Sequence, residues 1–246
     1  MRCQQTRLLS FAIASLLGMV PQVAQAATFI PVDLDQLDLG ATIVGPVGPE
    51  VETTFVNDAG EGLGDLISSV SCPTGFDSCV PPDNPLGTLY TYRHEVTPGV
   101  DFPNDPPFPT PASVLPIDNV SEFRLDFAAA GFTGIVGFSF SEAVAAIGSE
   151  DISIEQLGDS SLIWQLPLAS GWGTGETITF FWQTTQPPTG PGGVYGLANA
   201  EQIGTGAGPL PAPVVPEGPN SLALLIVSGV FLVGRRRLAK HKQCDR

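Results

Sequence analysis

Glycine and proline break the middle of this chain into short pieces, and that punctuation restricts its fold more than any other feature. Of 246 residues, 28 are Gly and 24 are Pro. Residues 98–116 hold seven prolines, which suits a long extended surface loop, because proline lacks the N–H that a sheet interior requires. Residues 190–208 form a second, glycine-laden connection, and Pro209, Pro211 and Pro213 make a stiff spacer after it. The intervening runs have strand character: 89–96, 120–127, 134–140, 151–157, 161–168 and 176–184. In 120–127, Phe123, Leu125 and Phe127 fall on one face while Glu122, Arg124 and Asp126 fall on the other. In 176–184, rich in Thr, Ile, Phe and Trp, the residues Ile178, Phe180 and Trp182 share a face. Only 141–147 has a helical pattern. The two Trp-Gln dipeptides, Trp164-Gln165 and Trp182-Gln183, have unmatched surroundings and read as residues of neighbouring strands, with no repeat array. The expected fold is all-β: a single antiparallel β-sandwich or jelly-roll-like domain, one hydrophobic core within residues 27–208.

The two ends have a different character. Arg2 and Arg7 precede an apolar run, 8–20, and Ala24-Gln25-Ala26 matches the small-x-small pattern of a cleavage site. This is the outline of a secretory signal peptide over 1–26, with Ala27 as the first mature residue. At the other end, a Pro-rich spacer over 209–220 leads to an apolar stretch, 221–234, and a basic tail, 235–246. Fourteen helical residues rise roughly 21 Å against about 30 Å of bilayer hydrocarbon. Arg235, Arg236 and Arg237 follow at once, and long basic side chains snorkel to the headgroups and let a short span sit deeper. With Lys240 and Lys242 they place the tail in the cytoplasm and the body outside.

The pieces Val215-Pro216-Glu217, the apolar residues 222–233, and Arg235 to Arg237 together resemble the PEP-CTERM sorting signal of bacterial envelope proteins. Gly218 stands where the second proline of that motif is expected, and Pro219 arrives one place late. The resemblance covers about residues 214–240 and does not extend to the body. It implies transient holding in the inner membrane, processing near Pro216-Glu217 by an exosortase-like protease, and delivery to the cell surface or extracellular matrix. A structural or interaction role follows from it, with extracellular polysaccharide among the partners.

Charge narrows the partners further. Between residues 27 and 213 the only bases are Arg93 and Arg124, against 23 acidic residues, a net charge of −21 where the whole chain carries −15. Such a surface repels nucleic acid and anionic lipid, and it suits solubility in a hydrated extracellular setting. Of four cysteines, Cys3 and Cys244 fall in the end segments. Cys72 and Cys79 bracket a turn-rich loop, and an oxidising compartment favours a disulfide between them. Their spacing fits neither a zinc site nor a thioredoxin-like motif.

No sequence motif dictates a reaction. Glu122 and Asp126 could be paired carboxylates of a polysaccharide hydrolase, although a solvated strand face is the plainer reading. His94-Glu95 could serve acid/base chemistry, but lacks a nucleophile in a recognisable context, so His94 reads as an ordinary surface or loop residue. Catalytic and cofactor residues are therefore expected to be none. Structural calcium would find oxygen ligands at Asp33, Asp35 and Asp38, or at Glu150 and Asp151. A carbohydrate-binding alternative would draw stacking surfaces from Trp164, Trp172, Trp182, Tyr90, Tyr92 and Tyr195.

Overall fold

A computed structural model describes residues 26–43, 50–73, 79–81, 84–85 and 87–214. The expected signal peptide, apart from Ala26, and the sorting motif, apolar stretch and basic tail lie outside the described residues. Among the described residues, no helix is long and apolar enough to cross a membrane.

The chain forms β1 (Ala27–Phe29), β2 (Val32–Asp33), a 3₁₀ turn (Leu34–Gln36), β3 (Ala41–Thr42), β4 (Val51–Val56), β5 (Gly62–Cys72) and β6 (Tyr90–Pro98). It continues through β7 (Glu122–Leu125), β8 (Phe132–Phe138), α1 (Phe140–Ile147), β9 (Ser153–Gln156), β10 (Leu162–Gln165), β11 (Ile178–Thr184), β12 (Gly193–Ala198) and β13 (Ile203–Gly208). Twelve strands follow one hydrogen-bonded path, β1-β9-β10-β7-β12-β13-β4-β5-β6-β11-β8-β2, and β3 adds to β5. The all-β expectation holds, but the sheet is mixed: β2 pairs parallel with β8, Val32 opposite Gly137.

This one sheet is curled. β7 and β11 lie far apart along the path, yet Phe123 stacks on Phe180 with ring centroids 4.7 Å apart. The two ends of the path also meet. β1 pairs antiparallel with β9 at one end, and after Ile30-Pro31 the same chain pairs with β8 at the other. Phe29 then packs edge-on against Phe132 of β8, at 5.2 Å. The N-terminal segment thus closes the curl, covering edges that would otherwise be open templates for pairing.

Local chemistry explains the joints. The β4–β5 hairpin turns on Asn57, whose Oδ1 accepts the amides of Ala59 and Glu61, while Gly60 takes a φ of +81°. Ser139 caps α1 by accepting the Glu142 amide, and Gly148 ends it in the left-handed region, with its N–H on the Val144 carbonyl. Asp33 and Asp35 reach the same helix end: Asp33 Oδ1 accepts the Phe140 amide, and Asp35 Oδ2 accepts that of Ser141. Carboxylates are favoured there by the free N–H groups and the helix dipole.

Two sequence expectations need correction. The hairpin β4–β5, with the longest strand of the sheet, was not among the expected strands. Residues 190–208, expected as a glycine-laden connection, form the β12–β13 hairpin inside the sheet. Its glycines leave room for large neighbours; a Cβ on Gly206 would press on Leu66 and Phe55. The expected strands 120–127, 134–140 and 176–184 fall on β7, β8 and β11, and the brief helix on α1.

Gly137 makes the closure possible, since a Cβ there would overlap the Val32 carbonyl oxygen. Gly137→Ala is expected to cost about 1–3 kcal/mol through displacement of the β2 backbone. Chemical denaturation checks the loss, with faster amide exchange over residues 27–36 as its local signature.

Candidate functional site

The aromatic residues that could have formed a sugar-stacking platform are interior. Trp164, Trp172, Trp182, Tyr92 and Tyr195 are fully buried, and Tyr90 is 4% exposed. Each indole N–H is already committed: Trp164 to the Gly137 carbonyl, Trp172 to that of Glu176, Trp182 to His94 Nε2. The tryptophans, Tyr92 and Tyr195 present no ring to a ligand, and Tyr90 only borders a groove beside Thr88 and Gln186. They form the filling of the curled sheet, where large apolar bodies with one satisfied polar tip are favoured.

His94 corrects another expectation, because it lies on no surface or loop. It projects from β6 into the core with no exposed area. Trp182 Nε1 can only donate, so His94 Nε2 accepts at 3.2 Å and the ring proton sits on Nδ1. Nδ1 therefore donates to Ser68 Oγ at 3.0 Å. A general base would have to accept the serine proton, which this tautomer prevents, and no substrate reaches the pair. Tyr195 lies beside the imidazole with centroids 4.4 Å apart. Burial pulls the His94 pKa down from 6.5 to about 3, so the ring is a neutral polar strut.

The exposed carboxylates are distributed among structural tasks. Glu122 and Asp126 flank Arg124 on the outer face of β7, with Arg124 Nη1 bonded to Glu122 at 2.6 Å and Nε to Asp126. The Asp126 hydrogen bond, with that of Glu122, raises the Arg124 pKa above its ordinary value. This is the solvated face expected from alternation. Asp33 and Asp35 serve α1, and Asp38 accepts the Gly40 amide. Hydrogen bonding by Ser141, and then by Ser139, holds the Asp35 carboxyl below its usual value against a smaller opposing effect of burial. Glu150 and Asp151 border an open groove of about 650 Å³ beside Ile30 and Leu166. Among the described residues, no three His, Cys, Asp or Glu side chains converge on a metal position.

The most unusual polar site lies on the outer face of β4, β5 and β6, and alternation did not single it out. Asp65 is 1% exposed. It stands between Thr54 of β4 and Thr97 of β6 in the ladder. The proline-rich segment 99–116 lies across it as a strap, and the Phe102 amide donates to Asp65 Oδ1 at 3.1 Å. Thr54 donates to Asp101, Asn104 Nδ2 donates to Thr54, and Glu52 and Asp105 exchange backbone and side-chain bonds. Farther on, the Gly62 amide bonds to the Ser113 carbonyl and the Leu115 amide to that of Gly62. Burial, with the charges of Glu52, Asp101 and Glu95, pushes the Asp65 pKa up to about 7; the Phe102 amide only partly offsets them. The sequence signal was available in hindsight: one Asp interrupts the apolar run Leu63, Leu66, Ile67.

Cys72 and Cys79 form the disulfide, both fully buried, with Asn84 Nδ2 donating to each sulfur. Closing so short a loop contributes roughly 2–3 kcal/mol.

No protein-family model, no curated protein and no solved structure matches this chain.

His94 and Asp65 impose opposite pH dependences. Between pH 6.5 and about 3 the folded state binds fewer protons at His94 than the unfolded chain, so this contribution is lost as pH falls through that window. Asp65, raised from 3.8 to about 7, favours the folded state at low pH and loses that contribution as pH rises between those values. In His94→Gln, whose amide can still bond Ser68 and Trp182, unfolding free energies from pH 7 to 4 are expected to fall less steeply than in the parent. Parallel curves would show that His94 is not the group responsible.

Proposed function

We propose that this chain is an exported, surface- or matrix-associated protein with a structural or interaction role, sorted through its PEP-CTERM-like tail. The observation that carries the reading is the buried Cys72–Cys79 disulfide, a bond that persists in oxidising compartments outside the cytoplasm. The strongly acidic composition of residues 27–213 is compatible with a scaffold in a hydrated extracellular setting. The facing halves of the curled sheet, joined across Phe123, read as a sandwich-like module closed by its N-terminal strand.

The positions of the chain ends support this topology. β1 begins at Ala27, the residue expected to follow signal cleavage, and Ala27 pairs with Gln156. Nearby, the Ala129 amide bonds to Ser160 and the Thr185 amide to Gly131, and the Ala212 amide bonds to the Pro187 carbonyl. Both ends of the described fold therefore leave from the same end of the sheet. The C-terminal membrane-directed segment attached there would let the body stand away from the bilayer.

Burial of the six named aromatics weighs against the carbohydrate-binding module. The neutral, enclosed His94 and the Arg124-bound Glu122 and Asp126 weigh against the polysaccharide hydrolase. Intact mass after fractionation of the native host, with and without its exosortase-like protease, tests the proposal. A surface or medium species running from Ala27 to near Glu217, and lost without the protease, is expected. A form that keeps Arg235 to Arg246 in both strains would refute processing and leave a tail-anchored envelope protein.

A further inference from the structure

Most of the carboxylates considered above have a structural explanation: a helix cap, a turn or an ion pair with arginine. Asp65 does not. It is a buried acid in the middle of a sheet, held under a strap that itself brings acids toward it. From β4 it faces Glu52, from the strap Asp101 with Asp105 nearby, and from β6 Glu95. The one base on these elements, Arg93, is engaged with Glu95 at 3.0 Å. The other base among the described residues, Arg124, sits between Glu122 and Asp126 on β7. No cation is thus assigned to Asp65, and its identified hydrogen-bond donor is the Phe102 amide of the strap itself.

We propose that Asp65 and the segment 99–116 form a proton-controlled clasp: the strap is seated while Asp65 is neutral and lifts at residues 101–105 when Asp65 ionises. The geometry supplies the coupling. An anion at Asp65 needs water, and beneath residues 101–105 only 1% of its surface is exposed, so hydrating the charge more fully favours moving them. Those residues carry Asp101 and Asp105, whose charges repel the new one and add to the displacement. The far end of the strap is held separately, by the paired bonds between Gly62 and residues Ser113 and Leu115. The near end is held by the Gly99 amide on the Leu63 carbonyl. Opening between these two fixed points breaks the bonds of Thr54 with Asp101 and Asn104, of Glu52 with Asp105 and of Phe102 with Asp65, and leaves the fold intact. Asp65 has a pKa of 3.8 when freely hydrated and about 7 beneath the strap, so rising pH favours opening progressively between those two values. At the acid end of that window the outer face of β4 and β5 is covered; at its neutral end Thr54 and Asp65 become accessible. The inference concerns the folded body and is independent of how the chain is sorted.

Amide hydrogen exchange over residues 99–110 of the full-length protein, divided by the intrinsic rate at each pH, tests the clasp. In the parent protein, protection of Phe102 and Asp105 is expected to be constant at pH values below 3.8, where Asp65 is neutral whether the strap is seated or lifted. It should then fall by up to about tenfold per pH unit as pH rises from 3.8 toward about 7 and level off above that, while protection of the β6 and β11 amides stays unchanged. Asp65→Asn keeps an acceptor for Phe102 but cannot ionise, and its strap should stay protected to pH 8.5. Asp101→Asn and Glu52→Gln each remove one facing charge, which makes ionisation beneath the strap easier and should move the pH at which protection levels off to lower values. These two variants decide the matter if Asp65→Asn does not fold. A flat parent profile, the same loss of protection in Asp65→Asn, or a levelling-off pH unmoved by both neighbouring substitutions would overturn the clasp.

Discussion

Phe123 holds the two halves of this molecule together. Its ring stacks on Phe180 from the opposite half at 4.7 Å, meets Trp164 at 5.3 Å, and lies parallel to Tyr195 at 6.1 Å. Phe55 approaches edge-on, and His94 completes the surround. A flat sheet could not bring β7 and β11 into contact; burying this ring requires the sheet to curl. Full burial of such a side chain stabilises by roughly 2–3 kcal/mol, with further gains from oriented aromatic pairs. The curl then creates a second demand, because it leaves the outermost strands β9 and β8 near each other with a gap between them. Residues 27–36 fill that gap, and the carboxylates of Asp33 and Asp35 fix their far end on α1.

Polar groups inside such a structure must find partners or change their ionisation. The core meets this demand in an orderly way: three indoles donate to fixed acceptors, and His94 is kept neutral between Trp182 and Ser68. The outer face under the strap meets it differently. Asp65 has a backbone donor but no countercharge, so it holds its proton to higher pH than an ordinary carboxyl. The two sites lie on opposite faces of the β5–β6 ladder. They pull stability in opposite directions over the same acid-to-neutral range, which flattens the pH dependence of the whole below that of either group.

Much of the sheet was legible from periodicity. Alternation in 120–127 placed Phe123 and Leu125 inward and Glu122, Arg124 and Asp126 outward, as the structure has them. Ile178, Phe180 and Trp182 likewise share the inner face. The failures have common causes. Glycine in β12 and β13 reads as a loop signal, yet there it makes space for the rings and leucines of the facing strands. The pairing of β2 depends on Gly137, and one glycine in a sequence does not announce which backbone will approach it. His94 looked exposed because an isolated histidine carries no information about its neighbours; only the ladder brings Ser68 and Trp182 to its two nitrogens.

The sequence by itself determined the class and the chemistry of the surface: short strands, one core, a Cys72–Cys79 bridge, and an acidic body nearly devoid of bases. These depend on composition and on neighbours close along the chain, which proline, glycine and alternation encode directly. Tertiary structure alone decided that one sheet would curl, that residues 27–36 would close it, and that the aromatic residues would be consumed by the interior. It also decided that, among so many carboxylates, Asp65 would be the buried one. Each of those outcomes depends on contacts between residues tens of positions apart, and desolvation is a property of the folded neighbourhood rather than of the residue.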